Sequence, residues 1–181
     1  AKANSLASPL PTYLALTVVS AVIATAGLLL DSPATVVGSM VIAPLIGPAM
    51  AAAVGTVVDD RNLFSRGVRL QVIGMVTAVI AAAVFGFTVQ LLNLIPPWLD
   101  PMNIEQVRER LKPDFLSLAV ALGAGTAGAV SLTTGISSAI VGVMIAVALI
   151  PPAATVGIGL AFGLPSVALP AGVLAIVNGL S

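Results

Sequence analysis

The chain has no cysteine and no histidine among its 181 residues. Without thiols it forms no disulfide and offers no thiolate nucleophile. Without imidazole it lacks a common metal ligand and the one side chain that ordinarily titrates near neutrality. Cysteine usage, the usual indicator of redox compartment, is silent here. Charge is scarce as well. Asp, Glu, Lys and Arg make up 8% of the residues, balanced at seven of each sign, against roughly 25% in a soluble domain. Zero net charge gives no sign of a nucleic-acid partner. The few charges also avoid the interior of the apolar runs: Asp31, Arg69 and Asp114 all fall near run ends. Proton relays and intramembrane acid hydrolysis need ionisable groups within a span. A carboxylate-based proton antiporter is therefore disfavoured, an intramembrane protease has no candidate dyad, and the chain reads as no enzyme and as needing no cofactor.

What fills the chain is apolar. Hydrophobic residues are 59% of the sequence and the mean hydropathy is +1.15, so the surface cannot be covered for water and the expected partner is a lipid bilayer. The first apolar run lacks a basic flank and a small-residue cleavage site, so it reads as a span, not a signal peptide.

Six apolar segments can be drawn, over about 10–30, 34–58, 66–95, 114–134, 136–161 and 165–181. A run of about 20 residues crosses a hydrocarbon core about 30 Å thick. Ser32-Pro33 is a helix start, a hydroxyl N-cap followed by proline at the first helical position. Pro96-Pro97 stops the third segment, and Trp98 suits the headgroup interface. The charged stretch NIEQVRERLK at 103–112 is expected to form a surface helix. Asn103 would cap it together with Gln106, and Ile104, Val107 and Leu111 would share its apolar face. The last segment reaches Ser181 without a polar flank, so its helix is expected to run on.

Positions 37–49 (VGSMVIAPLIGPA) recur, altered, at 141–153 (VGVMIAVALIPPA), with seven of thirteen residues identical, and Gly55/Gly159 extends the match at the same 104-residue offset. The offset carries segments one and two onto four and five, giving three spans per unit. An odd number of spans makes the second unit enter from the opposite side. The expected architecture is therefore an all-α membrane protein of six transmembrane segments in two inverted three-helix repeats, the second helix of each broken by Pro/Gly. Residues 1–95 form the first repeat, 96–112 a surface connector and 113–181 the second repeat. Lys2, Arg61, Arg66 and Arg69 on one side against Arg108, Arg110 and Lys112 on the other favour a cytoplasmic N-terminus.

A repeated, proline-broken span points to a solute site. Gly47-Pro48 and Pro151-Pro152 are expected to divide each segment into half-helices, with Pro48 and Pro152 at the first position of the second half. The free N–H groups there would attract an anionic or polar group. The carbonyls near Ala43 to Ile46 and Val147 to Ile150 would suit a cation. The candidate substrate-binding residues are Ser39, Ala43, Pro44, Gly47, Pro48 and Ala49 in the first copy, and Val147, Pro151, Pro152, Ala153 and Thr155 in the second; no metal-binding set is present. Intramembrane hydroxyls at Thr17, Ser20, Thr25, Thr77, Thr126 and Ser131 could line a path or bond back to their own helices. Glycine and alanine at 121–128 and at Gly74, Ala78 and Ala82 suit close helix packing, and a homo-oligomer is compatible with such faces.

At VVGSMVIAPLIGPAMAAAVGTVVDDRNL, ALGAGTAGAVSL and VGVMIAVALIPPAATVGIGLA the chain resembles the uncharacterised hydrophobic membrane family called domain of unknown function 389, over nearly its whole length. The resemblance implies prokaryotic origin and a cell-membrane address, and a soluble domain that often precedes the membrane part. It implies no substrate. From the residues, two functions stand. One is movement of a small solute or ion through a mid-membrane site formed by the two breaks, as a transporter or a channel. The other is a structural or assembly subunit whose prolines and glycines serve packing alone.

Overall fold

The computed structural model describes residues 9–94, 101–111 and 138–180, with isolated positions 119, 122, 123, 126 and 130 between them. The described residues form seven helices and no strand: α1 (Leu10–Leu29), α2 (Pro33–Ile42), α3 (Ile46–Val57), α4 (Arg61–Leu91), α5 (Glu105–Arg108), α6 (Ser138–Ala161) and α7 (Pro165–Leu180). Two of them, α1 and α4, are long and apolar enough to cross a membrane, and α2 with α3 makes a third candidate if the bent pair is one crossing. The Leu149–Ala161 part of α6 and α7 are shorter apolar helices. The fourth expected segment, with Pro113, Gly125, Gly128 and Ser131, and the Pro96-Pro97-Trp98 stop lie outside the described residues.

Four helices end in the same way. Asp31, Asp59, Asn93 and Gly163 take left-handed backbone angles just past α1, α3, α4 and α6 (φ 49°, 53°, 50° and 65°). The next residue's N–H then reaches back to a carbonyl in the last turn: Ser32 to Gly27 at 2.8 Å, Asp60 to Gly55 at 2.9 Å, Leu94 to Val89 at 3.1 Å and Leu164 to Gly159 at 2.7 Å. This six-to-one closure satisfies carbonyls that the helix leaves bare. Asp60 then caps α4, its carboxylate accepting from Asn62 N at 3.0 Å and Leu63 N at 3.1 Å. Ser32 caps α2 at Thr35 N, 3.4 Å, with Pro33 inside the first turn. The turns are thus short, and α1 with α2, α3 with α4 and α6 with α7 form antiparallel hairpins.

Each of three hairpins has a glycine where its helices cross. A Cβ built on Gly27 would lie 2.9 Å from Val36 N, and one on Gly159 would lie 2.6 Å from Ala168 N; Gly55 abuts the Phe64 backbone in the same way. The last two pairs are related by the 104-residue offset. Between hairpins, α4 presents a buried row of Gly67, Gly74, Ala78, Ala82 and Gly86, the expected small stripe extended at both ends. Gly67 meets α3 at Pro48 and Ala52, Gly74 meets Tyr13 of α1, and Gly157 of α6 meets Ala82 and Ala83. Small residues let backbones approach, which supplies dispersion contact where lipid provides no hydrophobic drive between helices. Because Ala82 meets Gly157 and Gly86 meets Ala161, α6 runs parallel to α4. The α2–α3 pair and α7 run the other way.

The connector carries α5 between two short 3₁₀ turns, Pro101–Asn103 and Glu109–Leu111. Ile104 and Val107 are buried and Leu111 packs on the core, so the expected apolar face is present. The expected cap is not. Ile104, not Asn103, occupies the N-cap and makes no side-chain cap bond. The Asp31 carboxylate instead accepts from Gln106 N at 3.0 Å, a charged acceptor brought to the short helix by the α1–α2 turn. Arg110 donates to the Gln106 carbonyl and, at 3.1 Å, to Glu109. Burial lowers the Arg110 guanidinium from its ordinary value, and Glu109 opposes that shift.

The close crossing of α4 and α6 generates a stability prediction. At Gly157 a Cβ would press on Ala82 and lie 2.8 Å from Ala83 N, whereas at Gly38 nothing lies within 4 Å. Gly157→Ala should cost about 1–3 kcal/mol through overpacking. Gly38→Ala should gain about 0.5–1 kcal/mol from helix propensity. Unfolding in detergent micelles checks both, and equal effects would contradict the crossing.

Candidate functional site

The first recurring segment breaks where a proline forbids the helix to continue. The residue before a proline is pushed out of the helical region, and Ala43, ahead of Pro44, is extended at φ −65°, ψ 120°. Helix α2 therefore stops at Ile42, α3 starts at Ile46, and their axes differ by 61°. This corrects the expected position of the break. Pro44 makes it, and Pro48 falls third in α3, inside the first turn, where its missing N–H has no intrahelical partner to lose. The exposed carbonyls shift too: they belong to the last turn of α2, Ser39 to Ile42, not to Ala43 to Ile46.

The second copy behaves differently. The counterpart of Pro44 is Ala148, and α6 runs through from Ser138 to Ala161 with Pro151 and Pro152 inside it. The expected division of this segment into two half-helices is not what the structure shows. A proline keeps helical φ, so the helix passes it at the cost of one missing N–H. Without an extended residue ahead of the prolines, nothing turns the chain aside. The Val147 and Ala148 carbonyls still lose the donors that residues 151 and 152 would supply.

The hydroxyls divide into two kinds. Thr17 bonds to the Tyr13 carbonyl (2.8 Å), Thr25 to Ala21 (2.8 Å), Thr77 to Ile73 (2.7 Å), Thr126 to Leu122 (2.8 Å) and Thr155 to Pro151 (2.9 Å). Each satisfies its donor within its own helix. Ser39 does the same through the Val36 carbonyl at 2.6 Å. Ser20 does not: its hydroxyl crosses from α1 to the Ser39 carbonyl at 2.7 Å. One of the carbonyls beside the break is thereby met by a neighbouring helix, as an apolar surrounding requires.

Of the expected site residues, Ser39, Ala43, Gly47 and Pro48 are buried, as are Pro151, Pro152, Ala153 and Thr155, while Pro44 and Ala49 are half-buried. Ala43, Leu45, Leu149, Ile150 and Ala153 belong to one buried cluster. The structure therefore brings the two recurring segments together, with α6 packed on α2 and α3. The side chain of Val147 lies outside the described residues. A depression of about 330 Å³ lined by Ala83, Val84, Phe87, Thr88, Leu160 and Ala161 opens elsewhere, between α4 and the end of α6. None of the expected residues lines it.

Two further side chains lie on or against the face of α4 that carries Gly67 and Gly74. Leu45, fully buried, approaches α4 at Gly74, where the Tyr13 hydroxyl also enters to donate to the Leu70 carbonyl at 3.0 Å. One turn earlier on the same face of α4 stands Gln71, between Gly74 and the Gly67 that abuts the Pro48 carbonyl. Both amide atoms of Gln71 are shielded and neither has a hydrogen-bond partner. Sequence reading passed over this residue. Its signal was available: a Gln four residues after Gly67 and three before Gly74 lies on the small, packing face of its helix, not on the lipid face.

Comparison with known proteins matches a family model described as Domain of unknown function (DUF389) over residues 40–181. An uncharacterized protein of Methanocaldococcus jannaschii is 34% identical over 161 residues, which is 89% of this chain and 48% of that protein. The chain thus spans about half the length of this curated relative. No solved structure matches.

The crossing bond at the break makes a prediction. Ser20→Ala should lower stability in micelles by about 0.6 kcal/mol and at most about 1.7, the average and the largest value for interhelical hydrogen bonds in membranes. Thr25→Val should stay within about 0.5 kcal/mol, because its hydroxyl serves only its own helix. Equal losses would show that the Ser20 bond contributes nothing of its own.

Proposed function

The chain belongs to the family described as Domain of unknown function (DUF389), and from that premise we propose that it moves a small solute or ion across a membrane, at a site between the α2–α3 break and α6. The observation that carries this reading is the break itself: a helix interrupted by Pro44 inside the helical core, with the second copy of the same sequence packed against it. An interrupted helix exposes carbonyls at one end and N–H groups at the other, and in an apolar medium those groups need partners. A solute passing the break supplies them transiently.

The finer architecture belongs to the proposal. The opposite directions of α2–α3 and α6 support two inverted repeats, and with them six spans and an alternating-access or channel pathway along the repeat interface. On this reading the protein resides in a prokaryotic cell membrane with its N-terminus in the cytoplasm. The second discontinuity is then a local loss of hydrogen bonds at Val147 and Ala148, not a full break.

The tight burial of Pro48, Pro151, Pro152 and Ala153 favours a second reading, in which the segments are packing elements of a structural or assembly subunit. The natural absence of cysteine allows the two to be separated. With single cysteines at Ala49 and Ala153, a small membrane-impermeant thiol reagent added to each side should label both positions if water reaches the break. Labelling at neither, while loop cysteines react normally, would leave only the packing reading.

Loss of the break should have a functional consequence of its own. Pro44→Ala restores a donor and frees Ala43 to be helical, so α2 and α3 should join into a straighter helix. On the transport reading, solute movement in reconstituted vesicles should fall by about tenfold or more while the protein remains folded. Undiminished movement would show that the discontinuity is not needed.

A further inference from the structure

We infer that Gln71 is a solute-binding residue, and that the solute it takes is small, uncharged and carries a hydrogen-bond donor and acceptor side by side, as a primary amide does. This inference rests on the proposed transport reading and specifies its ligand.

The argument begins with an unmet requirement. A primary amide has two donor hydrogens and a carbonyl oxygen. The nitrogen and the oxygen of Gln71 are both shielded and both without a partner, although part of its stem is exposed. Leaving such a group unpaired in an apolar interior is costly. The protein satisfies comparable groups nearby by bonds between helices, Ser20 to Ser39 and Tyr13 to Leu70. Gln71 stands among them without one.

Its position ties it to the break. Gly67, four residues before, touches the first turn of α3 at Pro48, and Gly74, three residues after, touches Leu45 at the break and Tyr13. A residue between them at helical spacing lies on the face of α4 that α1 and α3 approach. In α3, Ile46 and Gly47 occupy the first two positions of the helix, where N–H groups have no intrahelical acceptor. The start of α3 and Gln71 therefore lie along the same face of α4, between Gly67 and Gly74.

The chemistry of that region selects the ligand. Among the described residues, no ionised side chain lies within the apolar stretches that adjoin it; the nearest on α4 is Arg69, which is exposed. An ion brought there would lose its hydration without a fixed counter-charge, which is expensive. A neutral amide loses much less and recovers two hydrogen bonds at once. Its N–H meets the Gln71 oxygen while its carbonyl meets the Gln71 nitrogen, the paired arrangement that one-sided donors or acceptors cannot make.

The test uses acetamide as the probe, with the full chain reconstituted in lipid vesicles and solute entry followed by light scattering. Sodium chloride permeation is measured alongside. Gln71→Leu and the closer-fitting Gln71→Met remove the amide while keeping an apolar stem, and both should elute and unfold as the wild type does or with higher stability. Acetamide entry should exceed that of empty vesicles and fall by about tenfold in both variants, the loss of one paired amide contact. Unchanged acetamide entry in folded variants would overturn the assignment and leave Gln71 as a packed amide. Wild-type passage of sodium chloride without acetamide would also overturn it, while leaving transport standing. Passage of neither would overturn it as well, and the thiol labelling at Ala49 and Ala153 would then decide separately whether the transport reading falls.

Discussion

Everything in this fold turns on one requirement: each backbone and side-chain polar group must find a partner among closely packed apolar helices. Proline makes the requirement acute, because it withholds a donor. At Pro44 the chain responds by abandoning the helix for three residues and restarting it at an angle. At Pro151 and Pro152 it responds by keeping the helix and leaving two carbonyls short of their N–H donors. Where the first copy has Pro44 the second has Ala148. Ala43 ahead of Pro44 is extended, whereas Ile150 ahead of Pro151 stays helical.

Satisfying these groups requires helices to come close, and close approach requires small residues. The Ser20 hydroxyl reaches the Ser39 carbonyl because α1 and α2 are drawn together at Gly27. Tyr13 reaches the Leu70 carbonyl because Gly74 leaves its ring room. Packing and hydrogen bonding are here the same event: each glycine supplies contact area and access to a carbonyl. Both devices converge on the α2–α3 break, which is also where the two recurring segments meet. A structure that spends its short polar side chains on this region has either a joint to stabilise or a pathway to line, and the unpartnered amide of Gln71 argues for the pathway.

Much of this was legible from local sequence. Ser32-Pro33 predicts the start of α2, and the recurrence at 37–49 and 141–153 singles out the two segments that pack together. Ile104, Val107 and Leu111 predict the buried face of the connector. The misreadings are local as well. The Gly47-Pro48 pair predicts a break at Pro48, whereas the bias of a proline against a helical predecessor acts at Ala43, ahead of Pro44. In the second copy the proline pair predicts a helix end, whereas the helix persists through it.

What the sequence alone determined is the chemistry available: no thiol, no imidazole, almost no charge, long apolar helices and a proline that must interrupt one of them. These follow from composition and from neighbours within a turn, where the physics is local. Only the tertiary structure decided which hydroxyl crosses to another helix, that Asp31 and not Asn103 meets the N–H of Gln106, and that the Gln71 amide is enclosed without a partner. The two hydrogen bonds join residues 19 and 75 positions apart. They depend on how helices are rotated and how closely they approach, and no local pattern encodes either.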